Sequence, residues 1–276
     1  MDIEPFVQQS AMHFIIEPWQ QTVPSLIAGF STREGGVSAG PYSSLNLGFH
    51  VGDDQESVRQ NRERLAEQLT FPLSRWVGTE QVHEASVKKV SLADAGKGAA
   101  TLETAIAGTD ALYTDEENLL LTSLYADCVP LFFLAPDQRL IGLAHAGWRG
   151  TVKGIARAMV SRWQADEGVD PADVRVVIGP CISQSAYEVE ERVIDAVRQS
   201  LTLAAEQTYT ACGNDKYMLD LRLVNKQLLL EAGVRADHIL LSSICTAGDE
   251  RMFSHRADGG KTGRMMSFIG LRGDEE

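Results

Sequence analysis

The sequence predicts a mixed α/β fold in which hairpin-linked strands form sheets layered with helices. Three observations carry that prediction. Between Asp110 and His145 the apolar blocks Ala-Leu-Tyr, Leu-Leu-Leu-Thr-Ser-Leu, Val-Pro-Leu-Phe-Phe-Leu and Leu-Ile-Gly-Leu-Ala alternate with turn residues, as consecutive buried strands do. The period then changes. Val152, Ile155, Ala156, Met159, Val160 and Trp163 recur at the spacing of an amphipathic helix packed on a sheet. Strands outnumber helices and several are joined by hairpins, which fits a mixed sheet better than a doubly wound parallel one.

Residues 1–24 read as an N-terminal extension and 25–276 as a single domain. Ser25–Ser31 is an early strand running into a glycine-bearing loop, Thr32–Ser38, that continues to Gly48. Asp53 and Asp54 offer N-cap carboxylates for a helix to about Leu69, with Val58, Leu65 and Leu69 along one side. Trp76–Val90 reads as one or two strands with His83 near the middle. Ala135-Pro-Asp-Gln138 is a hairpin turn. After the period-3.6 segment come a short turn at Asp170-Pro171 and a strand over Val174–Ile178. Helices follow over about Glu190–Ser200 and Leu219–Glu231, then strands over Ile239–Ile244 and Met266–Leu271. No internal repeat is visible.

With 276 residues and 44% apolar content, the chain can bury a full core. A net charge of −13 argues against nucleic acid or an anionic membrane as the main partner, since polyanions are repelled. It leaves a small anionic substrate open, because that responds to local arginines. The acidic Met-Asp-Ile-Glu-Pro start lacks signal-peptide regions, and the most apolar window, Leu119–Ala135, is interrupted by Asp127 and too short to cross a bilayer comfortably. The expectation is a cytoplasmic protein. Cys128, Cys181, Cys212 and Cys245 form no C-x-x-C pair, and three of them read as small buried hydrophobes. Cys128 differs through its company.

That company is chemical. The apolar run Leu140-Ile-Gly-Leu-Ala ends in His145 and a Gly-Trp-Arg-Gly turn, and charged or polar groups at the exit of a buried strand are expensive to desolvate. Cys128 sits at a similar junction in Tyr125-Ala-Asp-Cys-Val-Pro130, and Glu80-Gln-Val-His83 supplies a second imidazole. None of the intervals is a local ligand spacing, but each residue lies near a predicted strand end, and neighbouring strand ends converge. Two imidazoles and a thiol make either a three-ligand metal centre with an open fourth position, suited to zinc, or a thiolate activated by imidazole. Asp127 orients a ligand or moves protons, or is a hydrogen-bonding turn residue. Arg149, just ahead of the amphipathic helix, and Arg33, beside Gly35-Gly36, are candidates for an anion. Gly259-Gly-Lys-Thr-Gly263 lacks the first glycine of a Walker frame, since position 255 is His, and precedes a strand. It is not a phosphate loop of that kind.

Thr32-Arg-Glu-Gly-Gly-Val-Ser-Ala-Gly-Pro-Tyr-Ser-Ser-Leu-Asn-Leu-Gly48 followed by His50-Val-Gly-Asp-Asp54 resembles the opening signature of the YfiH family. This is also called the laccase-domain or polyphenol oxidase family, with FAMIN its animal relative. Gln81-Val-His83, Ala126-Asp-Cys-Val-Pro130, Ala144-His-Ala-Gly-Trp-Arg-Gly150, Ile178-Gly-Pro-Cys181 and Thr262-Gly-Arg264 match in the same order, from about residue 25 to the C-terminus. The resemblance implies a four-layer α/β/β/α sandwich, with residues 25–276 as its catalytic domain. It makes His83, Cys128 and His145 the metal-binding and catalytic triad; Asp127 stands beside them as a further catalytic candidate, and Arg33, Asn46 and Arg149 are the candidates for binding substrate or phosphate.

Zinc is the metal so implied, with copper belonging to an older oxidase assignment. The implied substrates are purine nucleosides and phosphate. The implied reactions are phosphorolysis of adenosine, inosine, guanosine and methylthioadenosine, and deamination of adenosine. Three other readings stand beside it. They are a metal-independent Cys–His hydrolase editing a peptidoglycan precursor, a copper-dependent phenol oxidase, and a nucleoside-binding protein without turnover. Two residues depart from the family pattern, Glu84 where glycine is usual and Ala257 where a second arginine is common. The first is expected to alter the site's charge and the second to loosen an anion contact.

Overall fold

Two facing sheets organise the chain, and the computed structural model describes residues 4–273 of it. β1 (Phe6–Ser10), β2 (His13–Ile16), α1 (Glu17–Thr22) and β3 (Leu26–Ser31) come first. They are followed by α2 (Gln55–Leu69), β4 (Trp76–Val77), β5 (Val87–Lys89), β6 (Ala111–Thr114), β7 (Leu119–Tyr125), β8 (Val129–Ala135) and β9 (Leu140–Ala146). Then come α3 (Trp148–Val152), α4 (Ile155–Glu167), β10 (Arg175–Ile178), β11 (Glu188–Glu190) and α5 (Glu191–Ser200). The chain closes with β12 (Tyr209–Gly213), β13 (Lys216–Leu219), α6 (Leu221–Glu231), β14 (Ile239–Leu241) and β15 (Met265–Leu271).

One sheet runs β1-β2-β3-β15-β7-β4 and the other β14-β10-β8-β9-β6-β5, while β11-β13-β12 form a small third sheet. Both large sheets are mixed: β4 lies parallel to β7, and β5 and β14 lie parallel to β6 and β10. Successive side chains of a strand point to opposite faces, which separates the layers. From β8, Val129, Leu131 and Phe133 join Ile155, Met159 and Trp163 of α4, with residues of α5 and α6 in the same cluster. Phe132 and Leu134 turn the other way, onto Phe30, Leu121 and Ile269 of the first sheet. That sheet's outer face, Ile27, Leu120 and Phe268, meets Leu65, Ala66 and Leu69 of α2. The result is the expected α/β/β/α sandwich.

Asp54 caps α2 by accepting from the Ser57 backbone N–H, as its sequence position predicts. The helix expected from Val152 is divided, because Lys153-Gly154 interrupts it and leaves the five-residue α3 before α4. Trp76–Val90 yields two short strands, with His83 in the loop between them.

Residues 1–24 were set apart as an extension, yet residues 6–22 supply two strands and a helix. β2 pairs with β3, Phe6 packs on Phe132 at a ring separation of 5.8 Å, and Trp19 is buried. The β12–β13 hairpin carries no apolar alternation, and β12 is largely exposed, so no buried face marks it in the sequence.

Candidate metal centre

His83, Cys128 and His145 arrive on three separate segments: the β4–β5 loop, the tight β7–β8 connection and the end of β9. One ligand atom from each comes within 4.8 Å of the others. His145 follows Ile141 and Leu143 on the face of β9 directed between the sheets, so the strand period itself aims its imidazole. Its ring centroid lies 4.7 Å from that of His83 and 5.5 Å from that of Tyr125. Gly147 lets the groups approach. A Cβ there would stand 2.8 Å from His83 Cδ2 and 3.0 Å from Cys128 Sγ. His83 and Asp127 both adopt left-handed backbone, with φ of 62° and 86°, conformations uncommon outside glycine and frequent at functional sites.

Asp110, which the sequence analysis passed over, organises the centre. Its carboxylate accepts the backbone N–H groups of Val82 (3.2 Å), His83 (3.0 Å) and Glu84 (2.9 Å). It also accepts a hydrogen bond from His145 Nδ1 at 3.0 Å. One buried carboxylate therefore fixes the loop carrying the first histidine and the ring of the second, leaving His145 Nε2 for the centre. Burial alone would push the Asp110 carboxyl up, but these hydrogen bonds and the His145 charge hold it below the usual carboxylate range.

The thiol and imidazole are coupled. Burial raises the Cys128 thiol, yet the His145 charge and hydrogen bonds from both histidines outweigh it and bring the pKa down to about 6. Burial disfavours the His145 imidazolium, but the Cys128 thiolate and Asp110 raise it to about 9. Between those values the pair is a thiolate beside an imidazolium.

The centre faces a cavity of about 600 Å³, within the range of about 300–1,000 Å³ typical of small-molecule sites. One part of its lining, Thr79, Gln81, Leu102, Leu124 and Ala126, is mainly apolar with a polar amide. Another part, His50, His255, Arg256 and Arg264, is basic, and Glu80, Asp127 and Tyr187 complete it. Asp127 reaches the cavity with both carboxylate oxygens engaged, Oδ1 accepting from Thr246 Oγ1 (2.7 Å) and Oδ2 from the Arg256 backbone N–H (2.7 Å). It anchors the C-terminal loop beside the centre.

The other candidates lie elsewhere. Arg33 donates to the carbonyls of Ser43 (2.9 Å) and Met252 (3.4 Å) and lies over the Phe253 ring, outside the lining. Asn46 is fully buried, and its Oδ1 accepts from the backbone N–H groups of Gly48 (3.0 Å) and Arg264 (2.9 Å). It positions Arg264 without lining the cavity. Arg149 is exposed on α3, stacked on Trp148 at 4.5 Å, and is not part of the lining. Glu84 is exposed, pairs with Lys153 and is outside the lining too, so the charge it adds lies off the cavity wall. Ala257 is exposed, its backbone N–H donating to Ser254 Oγ.

Arg256, Arg264, His50 and His255 line the cavity without being marked by any local spacing in the sequence, although Arg264 and His50 stand in motifs that carried the resemblance. A family model described as multi-copper polyphenol oxidoreductase laccase matches residues 27–272. The chain belongs to this family. It is 50% identical over 247 residues to the purine nucleoside phosphorylase YlmD of Geobacillus stearothermophilus, covering 89% of this chain and 90% of that one. Identity to purine nucleoside phosphorylase YlmD of Bacillus subtilis is 46% over 275 residues, covering 97% and 98%. The crystal structure of the hypothetical protein YfiH from Bacillus licheniformis matches with a TM-score of 0.95 at 44% identity, over 98% of this chain and 100% of that chain.

In this laccase-domain chain the donor set fits a metal ion. Two imidazoles and a low-pKa thiol offer three nitrogen and sulfur ligands, and the adjoining cavity leaves room for a fourth. The Asp110 contact on His145 Nδ1 is the outer-shell support that metal-binding histidines almost always have.

Proposed function

We propose that the chain is a zinc-dependent purine nucleoside enzyme that phosphorolyses adenosine, inosine, guanosine and methylthioadenosine and also deaminates adenosine. The observation that carries this reading is the convergence of His83, Cys128 and His145 on a cavity large enough for a nucleoside whose lining also holds two arginines. The names of the relatives support it. The mixed nitrogen and sulfur donor set favours zinc. Among the described residues only this one group of three donors could hold a metal, whereas multicopper oxidation passes electrons between several copper sites.

Bound zinc would supply a Lewis acid that stabilises negative charge developing during the reaction. The protein's own groups set the geometry. Asp110 holds His145 and the His83 loop, Gly147 leaves His83 and Cys128 room to approach each other, and Asp127 pins the loop that carries Arg256. In phosphorolysis an oxygen of hydrogen phosphate bonds to C1′ while the C1′–N9 bond breaks. Its electron pair leaves on the purine, and the phosphate proton ends on the base. In deamination, water adds its oxygen at C6, the C6–N bond breaks, one water proton leaves with the amine as ammonia, and the other stays on N1 of the 6-oxopurine. In this reading His145 holds the metal through Nε2 while Asp110 keeps its Nδ1 proton in place.

The Cys128–His145 pair also favours a second reading, a metal-independent thiol hydrolase with Cys128 as nucleophile and His145 as acid–base partner. Mass-spectrometric product identification separates these readings. The holoprotein is incubated with adenosine or with a muropeptide precursor, with and without phosphate and chelator. Adenine and ribose 1-phosphate formed only with phosphate, and abolished by chelator, are expected. Muropeptide cleavage that survives chelation would establish the hydrolase, and tight adenosine binding without product would establish a binder.

A further inference from the structure

The basic lining of the cavity is out of character with the rest of this acidic chain. The protein carries a net charge of −13, and half of its arginines pair with carboxylates. Arg256 and Arg264 do not: among the described residues neither has a carboxylate within ion-pair distance. Two guanidinium groups left without counterions on the lining of one cavity leave donors for an anion from outside.

Their placement is built. Arg264 is half-buried, and its Nη1 donates to the carbonyls of Thr262 and Gly263, both at 3.0 Å. Its stem lies against Gly48, where a Cβ would stand 2.8 Å from Arg264 Cγ and 3.4 Å from His50 Cε1, so the guanidinium stem and the His50 imidazole share one seat. Asn46 fixes the Arg264 backbone. Packing around His50, with Arg264 and Arg62 nearby, lowers its pKa to about 4, so at neutral pH it is an uncharged hydrogen-bonding partner. Arg256 is held over the Tyr187 ring at 5.2 Å and donates to the Glu188 carbonyl at 3.0 Å. Its backbone N–H rests on Asp127, the neighbour of Cys128, which ties this wall to the metal centre. Two carboxylates share the cavity: Asp127, with both oxygens engaged, and exposed Glu80, whose Oε2 lies 3.4 Å from the Gly108 backbone N–H that it accepts from.

We propose that Arg264 and Arg256, with His50 and His255 beside them, form the subsite for the phosphate dianion consumed in phosphorolysis, and that Arg149 takes no part in it. The assignment to a co-substrate rests on the phosphorolytic reading above. Guanidinium groups match phosphate oxygens in geometry and charge, and the half-burial of Arg264 strengthens its contact by excluding water. The same chemistry would hold the phosphate of a nucleotide substrate, so the test has to distinguish the two sources.

The experiment is calorimetric titration of the zinc-loaded protein with inorganic phosphate and, separately, with adenosine 5′-monophosphate, together with the KM for phosphate at saturating adenosine. Arg264→Gln and Arg256→Gln should each weaken phosphate binding and raise that KM by about tenfold or more, the usual worth of a charge-assisted hydrogen bond. Arg264→Lys should recover part of the loss, and Arg149→Gln should leave both values unchanged. Arg256 is exposed, so its variant stays informative if the Arg264 variants fold poorly. Unchanged phosphate binding in Arg256→Gln and Arg264→Gln, or a loss confined to Arg149→Gln, overturns the subsite. So does tight binding of the monophosphate with no binding of phosphate. Calorimetry needs no turnover. Phosphate bound by this wall in a protein that never cleaves adenosine would therefore sink phosphorolysis while leaving the subsite standing.

Discussion

Asp110 serves two histidines with one carboxylate, and that economy makes it the most informative residue to change. Asp110→Asn keeps an acceptor for the His83 loop but removes the charge that holds His145. Outer-shell substitutions of this kind typically cost about 10–100-fold in metal affinity. A chelator competition should show zinc binding weakened by that order, with circular dichroism unchanged; unaltered affinity would remove Asp110 from the centre. Cys128 offers a second test at this scale. An ordinary thiol deprotonates near ~8.5, whereas Cys128 is brought down to about 6. In metal-free protein its alkylation by iodoacetamide should therefore rise as pH climbs through about 6 and level off well below the ordinary range. His145→Gln removes the compensating charge and leaves burial in control, so its profile should move above the ordinary thiol value. A wild-type profile centred near ~8.5 would mean that the thiolate–imidazolium pair does not form.

Among the elements, three chain segments meet at Gly147, where β9 turns into α3. Gly147→Ala places a methyl group 2.8 Å from His83 Cδ2 and 3.0 Å from Cys128 Sγ, and neither neighbour can retreat without opening the centre. Overpacking of this kind costs about 1–3 kcal/mol, and the strain falls on the ligands. Zinc content and nucleoside turnover should drop together while the melting temperature falls only a few degrees; full zinc occupancy would show that the loop yields instead. This junction also shows what the sequence makes legible. β6–β9 stand out because they are apolar on both faces, being covered by a sheet and by helices, and His145 stands out as the lone imidazole ending such a strand. Asp110 does not, since an aspartate opening an apolar block looks like a turn residue and its partner His145 lies 35 positions away. Arg149 looked like an anion clamp because a helical period follows it. The break at Gly154 leaves it on a five-residue helix, stacked on Trp148 and outside the cavity lining. Arg256 and Arg264 acquire their role only when the C-terminal loop folds back over Asp127 and Asn46, a long-range contact that no local spacing records.

For the whole molecule, the sandwich makes the N-terminal segment part of the scaffold that carries the site. β1 and β2 extend the first sheet beyond β3, so His145 and Tyr125 lie in an inter-sheet layer that these strands help to close. Phe6, Phe14, Ile16 and Trp19 all belong to the cluster between the sheets, together with Tyr125, Phe132 and Leu143. Burying each such side chain contributes about 1.5–3 kcal/mol, so the four together approach the net stability of a domain, about 5–15 kcal/mol. Removing residues 1–22 would also strip β3 of its hydrogen-bonded neighbour and expose its edge next to an uncovered apolar face. The truncated chain should therefore aggregate or unfold well below the full-length melting temperature, and it should lose zinc although all three ligands remain. Calorimetric melting and metal analysis of the two forms check this. A truncated protein that melts with the full chain and keeps its zinc would show that the segment is an appendage, and that β3 to β15 close the inter-sheet layer on their own.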